Sequence, residues 1–145
     1  MICRVRHIGI VVKKIDDLLP FYRDLLKFRI VKQADEPETF INRLLNLDNC
    51  QLKTVKLTTE DGLTLIELLE FASHHSFEQE NREVFTTGLS HIAFTVEDLD
   101  SLYVKLLDEG IQFISTPLTA PDGLAKVAFC RDPAGTYLEL VEELK

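Results

Sequence analysis

Four side chains of this 145-residue chain stand where their types invite chemistry. Glu67 lies within Leu65-Ile66-Glu67-Leu68-Leu69, and Glu139 within Tyr137-Leu138-Glu139-Leu140-Val141; both stretches read as strands. Alternate side chains of a strand share a face, so Glu67 points the same way as Leu65 and Leu69. A carboxylate among aliphatics loses hydration worth several kcal/mol unless something compensates. His7 and His91 each open an apolar, β-branched run, HIGIVV and HIAFTV. Two imidazoles and two carboxylates form a mixed nitrogen and oxygen set suited to Zn²⁺, Ni²⁺, Mn²⁺, Fe²⁺ or Co²⁺, and a divalent ion would compensate the carboxylates. Taken singly, each residue has an ordinary explanation. A histidine at a strand start is commonly structural or exposed, and a strand glutamate commonly faces water.

An internal repeat supports the joint reading. HIGIVVKKID (residues 7–16) matches HIAFTVEDLD (91–100) at a constant offset that pairs His7 with His91, Ile8 with Ile92, Val12 with Val96 and Asp16 with Asp100. VKLTTEDGLTLIELLE (55–70) aligns without a gap on VAFCRDPAGTYLELVE (127–142), pairing Glu67 with Glu139 and Glu70 with Glu142. The second offset is smaller, so the first copy carries about a dozen extra residues between 33 and 50. Repetition puts both residue types at matching places twice. It does not by itself make the four converge.

Each copy predicts the order βαβββ. The opening strands span Ile8–Val12 and Ile92–Val96. Helices follow, with Asp16 or Asp100 near their starts, where a carboxylate caps free amides and complements the dipole. Leu18, Leu19, Phe21, Tyr22, Leu25 and Leu26 recur at helical spacing in copy one, where Pro20 fits only a first turn. Leu99, Leu102, Tyr103, Leu106 and Leu107 do so in copy two, and Gly110 ends that helix. Short strands follow at Phe28–Val31 and Gln112–Ile114. The last two strands of copy one, Leu52–Thr58 and Leu63–Phe71, flank a turn at Asp61-Gly62. Those of copy two, Lys126–Cys130 and Tyr137–Val141, flank Asp132-Pro133-Ala134-Gly135. The expected fold class is α+β: one domain over 1–145, made of module 1 (about 4–71) and module 2 (about 88–143) joined by a polar linker (72–87). A helix around Ser76–Phe85 is expected in the linker.

Composition narrows the function classes. Hydrophobic residues make up 46% and charged residues 28%, an ordinary balance for a folded globular domain. The net charge of −8 argues against a nucleic-acid partner. No apolar run approaches the roughly 18 residues of a membrane span, and the N-terminal stretch does not read as a signal peptide. Cys3, Cys50 and Cys130 are odd in number and have no Cys-x-x-Cys spacing, so neither a disulfide framework nor a thiolate zinc site is indicated. A reduced, cytoplasmic setting is the expectation.

The motifs HIGIVV with FYRDLL, LIELLEF, GLSHIAFTVEDLD and VAFCRDPAGTYLELVEEL resemble those of the vicinal oxygen chelate superfamily, over about Arg4 to Glu143. Its members include glyoxalase I, methylmalonyl-CoA epimerase, extradiol dioxygenases, fosfomycin-resistance enzymes and bleomycin-binding proteins. The resemblance implies two βαβββ modules, the glyoxalase/bleomycin resistance/dioxygenase fold, whose curved mixed sheets form a cup around one divalent metal. It places the metal ligands at His7, Glu67, His91 and Glu139, the set of glyoxalase I-like lyases. It implies a homodimer, a small-molecule substrate of the thioester or hemithioacetal class, and enediolate stabilisation by the metal. Glu139 is then the first candidate for the base, with Glu67 its counterpart.

The four residues alone do not choose between a glyoxalase reaction and racemisation of the methylmalonyl-CoA epimerase kind. GLSHIAF and LIELLEF resemble the epimerase versions, whereas Glu at position 67 is the glyoxalase I residue. A metal-free, antibiotic-binding module is a further alternative. The family commonly has Gly where Lys27 stands, which predicts a local adjustment of the helix end. Arg4, Arg6, Arg43 and Lys126 are cations for an anionic substrate, though solvated surface is the ordinary reading of each. His74-His75 reads as a surface loop. Cys130 reads as core filler rather than a nucleophile, and Phe21, Tyr22, Phe94 and Phe129 as core.

Overall fold

The computed structural model describes residues 1–75 and 82–145. The chain divides into two compact units, Met1–Glu78 and Gln79–Lys145. In unit 1 the order is β1 (Ile8–Val11), α1 (Ile15–Leu19) continuing into a π-helical turn (Pro20–Leu25), β2 (Arg29–Asp35), α2 (Glu38–Leu45), β3 (Leu52–Thr58) and β4 (Leu65–Phe71). In unit 2 it is β5 (His91–Thr95), α3 (Leu99–Asp108), β6 (Leu118–Thr119), β7 (Ala125–Arg131) and β8 (Tyr137–Glu143). Each unit holds one four-stranded mixed sheet, ordered β1-β4-β3-β2 and β5-β8-β7-β6. The first strand lies parallel to the last, and the other neighbours are antiparallel. The α+β architecture of two mixed four-stranded sheets, one in each unit, is as the sequence predicts. The sheets are open. Among the described residues no helix is long and apolar enough to cross a membrane.

Strand alternation sorts the side chains. Ile66 and Leu68 of β4 are fully buried, as are Leu138 and, nearly so, Leu140 of β8, and these form the core face of each sheet. Tyr22 is fully buried between Phe21 and Phe28, with edge-to-face ring contacts at 5.0 and 5.7 Å. Glu67 and Glu139 lie on the opposite face from those leucines, one residue along.

Several expectations need correction. The stretch 112–114 forms no strand; Phe113 makes a single bridge to Cys130, and the edge strand is instead β6. The extra residues of copy one form helix α2, which buries Ile41 against Cys50 and Leu52. Its signal was present in the spacing of Phe40, Ile41, Leu44 and Leu45. Pro20 is not in a first turn but follows five α-helical residues. With no N–H to continue the ladder, the chain widens there into π winding, in which Leu26 N–H donates to Phe21 O at 3.0 Å. The helix expected around Ser76–Phe85 falls on residues 76–81, outside the described ones, and residues 82–85 carry no helix.

Lys27 takes the left-handed conformation itself, at φ 62°, and Gly110 does so at φ 80° after α3. Asp16 and Asp100 do not cap the amides as expected. Ile15 N–H donates to Glu70 Oε2 at 2.9 Å, and Leu99 N–H donates to Glu142 Oε2 at 3.1 Å. A glutamate at the end of each unit's last strand thus reaches over to satisfy the helix start and meets the positive end of its dipole. Asp98 adds a side-chain cap on Ser101 N–H at 3.1 Å, and Asp100 instead accepts from Lys126 Nζ at 2.5 Å.

Glu70→Ala and Glu142→Ala are each expected to lower unfolding free energy by about 1 kcal/mol, read by urea titration. Lys27→Gly is expected to raise it by roughly 0.5–1 kcal/mol, because glycine carries no penalty at positive φ.

Candidate functional site

The repeat-related polar residues come together as two pairs, one in each unit. On β4, Glu67 is in register with Gly9 of β1; on β8, Glu139 is in register with Ala93 of β5. The two histidines lie two residues before those small neighbours, on the same strand face. His7 Nε2 stands 2.9 Å from Glu67 Oε2, and His91 Nε2 stands 3.1 Å from Glu139 Oε2. Glu67 is buried, with 7% of its surface exposed, while Glu139 is half-buried.

His91 has a defined orientation. Ser90 Oγ donates to Val84 O at 2.7 Å, which spends its one proton. Ser90 Oγ therefore accepts from His91 Nδ1, 3.1 Å away. That leaves Nε2 to face Glu139, and Nε2 carries its lone pair unless a proton or a metal cation stands between them. Such a contact to Nδ1 is the arrangement that orients metal-ligating imidazoles. The ring is also held edge-to-face by Phe129, with centroids 5.0 Å apart.

Sequence reasoning missed Lys56. Its Nζ lies 3.2 Å from Glu67 Oε1, and Lys56 is the β3 register partner of Glu67. In unit 2 the register partner of Glu139 is Phe129. The gap-free alignment of the two hairpins had set Lys56 against Ala128. The hairpin loop of unit 2, residues 132–136, is one residue shorter than the loop 59–64 of unit 1, so β7 slips by one against β8. Burial agrees: fully buried Leu57 corresponds to fully buried Cys130.

Among the described residues, no group of three or more His, Cys, Asp or Glu side chains could hold a metal ion. Each unit forms a pair of donors, one imidazole nitrogen and one carboxylate oxygen, of the chemistry that a borderline divalent ion takes. Of the cations considered for an anionic substrate, Arg4, Arg6 and Arg43 are exposed and Lys126 is committed to Asp100. His74 contacts Ser73 Oγ through Nδ1 at 2.9 Å, and His75 is exposed.

Cys130 is fully buried. Burial, and to a lesser degree the Asp132 charge, pushes its thiol up to about 12, so it stays protonated and unreactive at neutral pH. Cys50 is likewise buried, whereas Cys3 is exposed.

The Glyoxalase/Bleomycin resistance protein/Dioxygenase superfamily model matches residues 4–140. The chain is 28% identical over 136 residues to a probable lactoylglutathione lyase of Synechocystis, covering 94% of this chain and 92% of that one. A crystal structure of a glyoxalase family protein from Bacillus cereus superposes with a TM-score of 0.91 at 22% identity, over 100% of this chain and 97% of the other. A trypanothione-dependent glyoxalase I of Leishmania major superposes with a TM-score of 0.69 at 25% identity, over 97% and 87%.

A disulfide-exchange thiol reagent at neutral pH is expected to react promptly with one thiol in native protein, Cys3, and with all three after unfolding. Prompt native reaction of a second thiol would contradict the burial of Cys50 and Cys130.

Proposed function

The chain belongs to the Glyoxalase/Bleomycin resistance protein/Dioxygenase superfamily, and from that membership we propose that it is a metal-dependent lyase or isomerase of glyoxalase I type. The observation carrying this reading is the pair of imidazole–carboxylate contacts at repeat-related places. It is strongest at His91, whose Nδ1 is spent on Ser90 and whose Nε2 therefore meets a carboxylate oxygen 3.1 Å away. Two such acceptors face each other stably only around a cation or a proton. In unit 1 the same pairing involves a glutamate with 7% exposure, a burial that a divalent ion compensates.

His7, Glu67, His91 and Glu139 are the residues that would hold the ion. A set of four requires the pairs of both units, from one chain or from two copies in a homodimer. A bound divalent ion supplies Lewis acidity toward neighbouring oxygens of an α-hydroxycarbonyl or thioester substrate. The chain's own contribution is positional and protonic. Ser90 fixes which nitrogen of His91 is presented, and Phe129 holds the ring plane. Glu139 is the base that takes the proton α to the carbonyl and returns it, since its carboxylate is more accessible than that of Glu67, which also has an ammonium on its second oxygen. Glu67 serves as its pseudo-symmetric partner. A reduced cytoplasmic setting and a small hemithioacetal substrate complete the proposal.

Racemisation of a thioester of the methylmalonyl-CoA class is the second reading, favoured by GLSHIAF and LIELLEF. It uses the same proton transfer with return on the opposite face.

Wild-type protein is expected to purify with divalent metal that is lost in both His7→Ala and Glu139→Gln; undisturbed metal in these variants would defeat the reading. Metal-loaded protein is expected to exchange the α-hydrogen of hemithioacetals with deuterated solvent, and Glu139→Gln to slow this by about 10²–10⁴-fold. Exchange of thioesters alone would select the epimerase reading.

A further inference from the structure

The two oxygens of Glu67 are engaged by different partners. Oε2 faces His7 Nε2 at 2.9 Å, and Oε1 faces Lys56 Nζ at 3.2 Å. The Lys56 side chain is 23% exposed, so its ammonium is drawn back onto the sheet instead of extending into water as a surface lysine does. Unit 2 has no such cation at the corresponding place: Phe129 stands there, against the ring of His91. The difference therefore separates two otherwise repeat-related pairs.

We infer that Lys56 is a positioning residue of the metal centre: by holding Oε1 it presents Glu67 to the ion through Oε2 alone. The inference rests on the metal reading above and adds a division of labour to it. A carboxylate free to offer both oxygens would occupy a coordination position that a substrate oxygen needs. Glu67, tied on one side, remains a one-oxygen ligand, and Glu139, opposite an aromatic ring, keeps the freedom that a base requires. The ordinary alternative is a cross-strand ion pair that stabilises β3 against β4 and does nothing to the ion. It predicts a change in stability only.

Co²⁺ serves as the probe, since its visible absorption weakens as coordination number rises. Wild type, Lys56→Met and Lys56→Arg are loaded with Co²⁺, and the metal-free forms are compared by thermal unfolding. The Lys56→Met spectrum is expected to lose intensity as Glu67 turns its second oxygen to the ion, while Lys56→Arg, which keeps a cationic donor, retains the wild-type spectrum. A Lys56→Met spectrum equal to wild type, with only the unfolding midpoint moved, overturns the role of Lys56 and leaves the metal reading standing. A Lys56→Arg spectrum matching that of Lys56→Met overturns it as well. Wild type that takes up no Co²⁺ overturns the metal reading and this inference together. Should Lys56→Met fail to fold, Lys56→Leu gives the same comparison, because it also removes the donor.

Discussion

The structure turns on the cost of placing a carboxylate against a sheet where water is scarce. Glu67 is met on both oxygens, by an imidazole and by an ammonium, and Glu139 is met by an imidazole. Gly9 and Ala93 stand opposite the glutamates, and a Cβ at Gly9 would press on Leu69 Cδ1 at 3.0 Å. The parallel pairing of first and last strand brings together residues far apart in sequence, and the first helix of each unit carries the chain from the first strand to the strand at the opposite edge of the sheet. Each helix start is in turn tied back to the last strand by Glu70 or Glu142. The last strand of each unit therefore carries two glutamates with separate duties: one at the imidazole, the other at the helix start.

Duplication leaves room for divergence where a loop changes length. One residue fewer in the loop 132–136 shifts β7 against β8, which replaces a cation by an aromatic ring beside the second glutamate. The side-chain period of a strand is two, so a one-residue slip changes which residue faces a given neighbour. Two copies of one unit thereby acquire different electrostatics at the same point of the fold. The extra helix α2 in unit 1 is a second divergence; its buried Ile41 packs with Cys50 and Leu52 in a cluster that also takes in Leu69 and Phe71 of β4.

Two local irregularities of unit 1 fall at the end of its first helix. Pro20 forces π winding after five residues of α1, and Lys27 then takes positive φ where unit 2 uses Gly110. Neither disturbs β1 or β4, since the chain recovers before β2. Phe28 N–H donates to Tyr22 O at 2.9 Å across this stretch.

Much of the fold was legible because its signals are short-range. Strand and helix periodicity located β3 at its observed limits and most other elements within two residues, and the repeat pointed to His7, Glu67, His91 and Glu139 before any geometry was known. The strand expected at 112–114 shrinks to a single bridge: Ile114 N–H donates to Phe129 O and Gln112 O accepts from Arg131 N–H, but the pairing with β7 extends no further. Asp16 and Asp100 looked like caps by proximity in sequence, but the helix amides were nearer in space to Glu70 and Glu142. What the residues determined on their own was composition, periodicity and repetition, and hence the element order and the family. Only tertiary structure decided which side chains meet: that each histidine faces its own unit's glutamate, that Ser90 orients His91, and that Lys56 sits beside Glu67. Such contacts depend on cross-strand register, which a change of one loop residue resets and which no local pattern of residue types encodes.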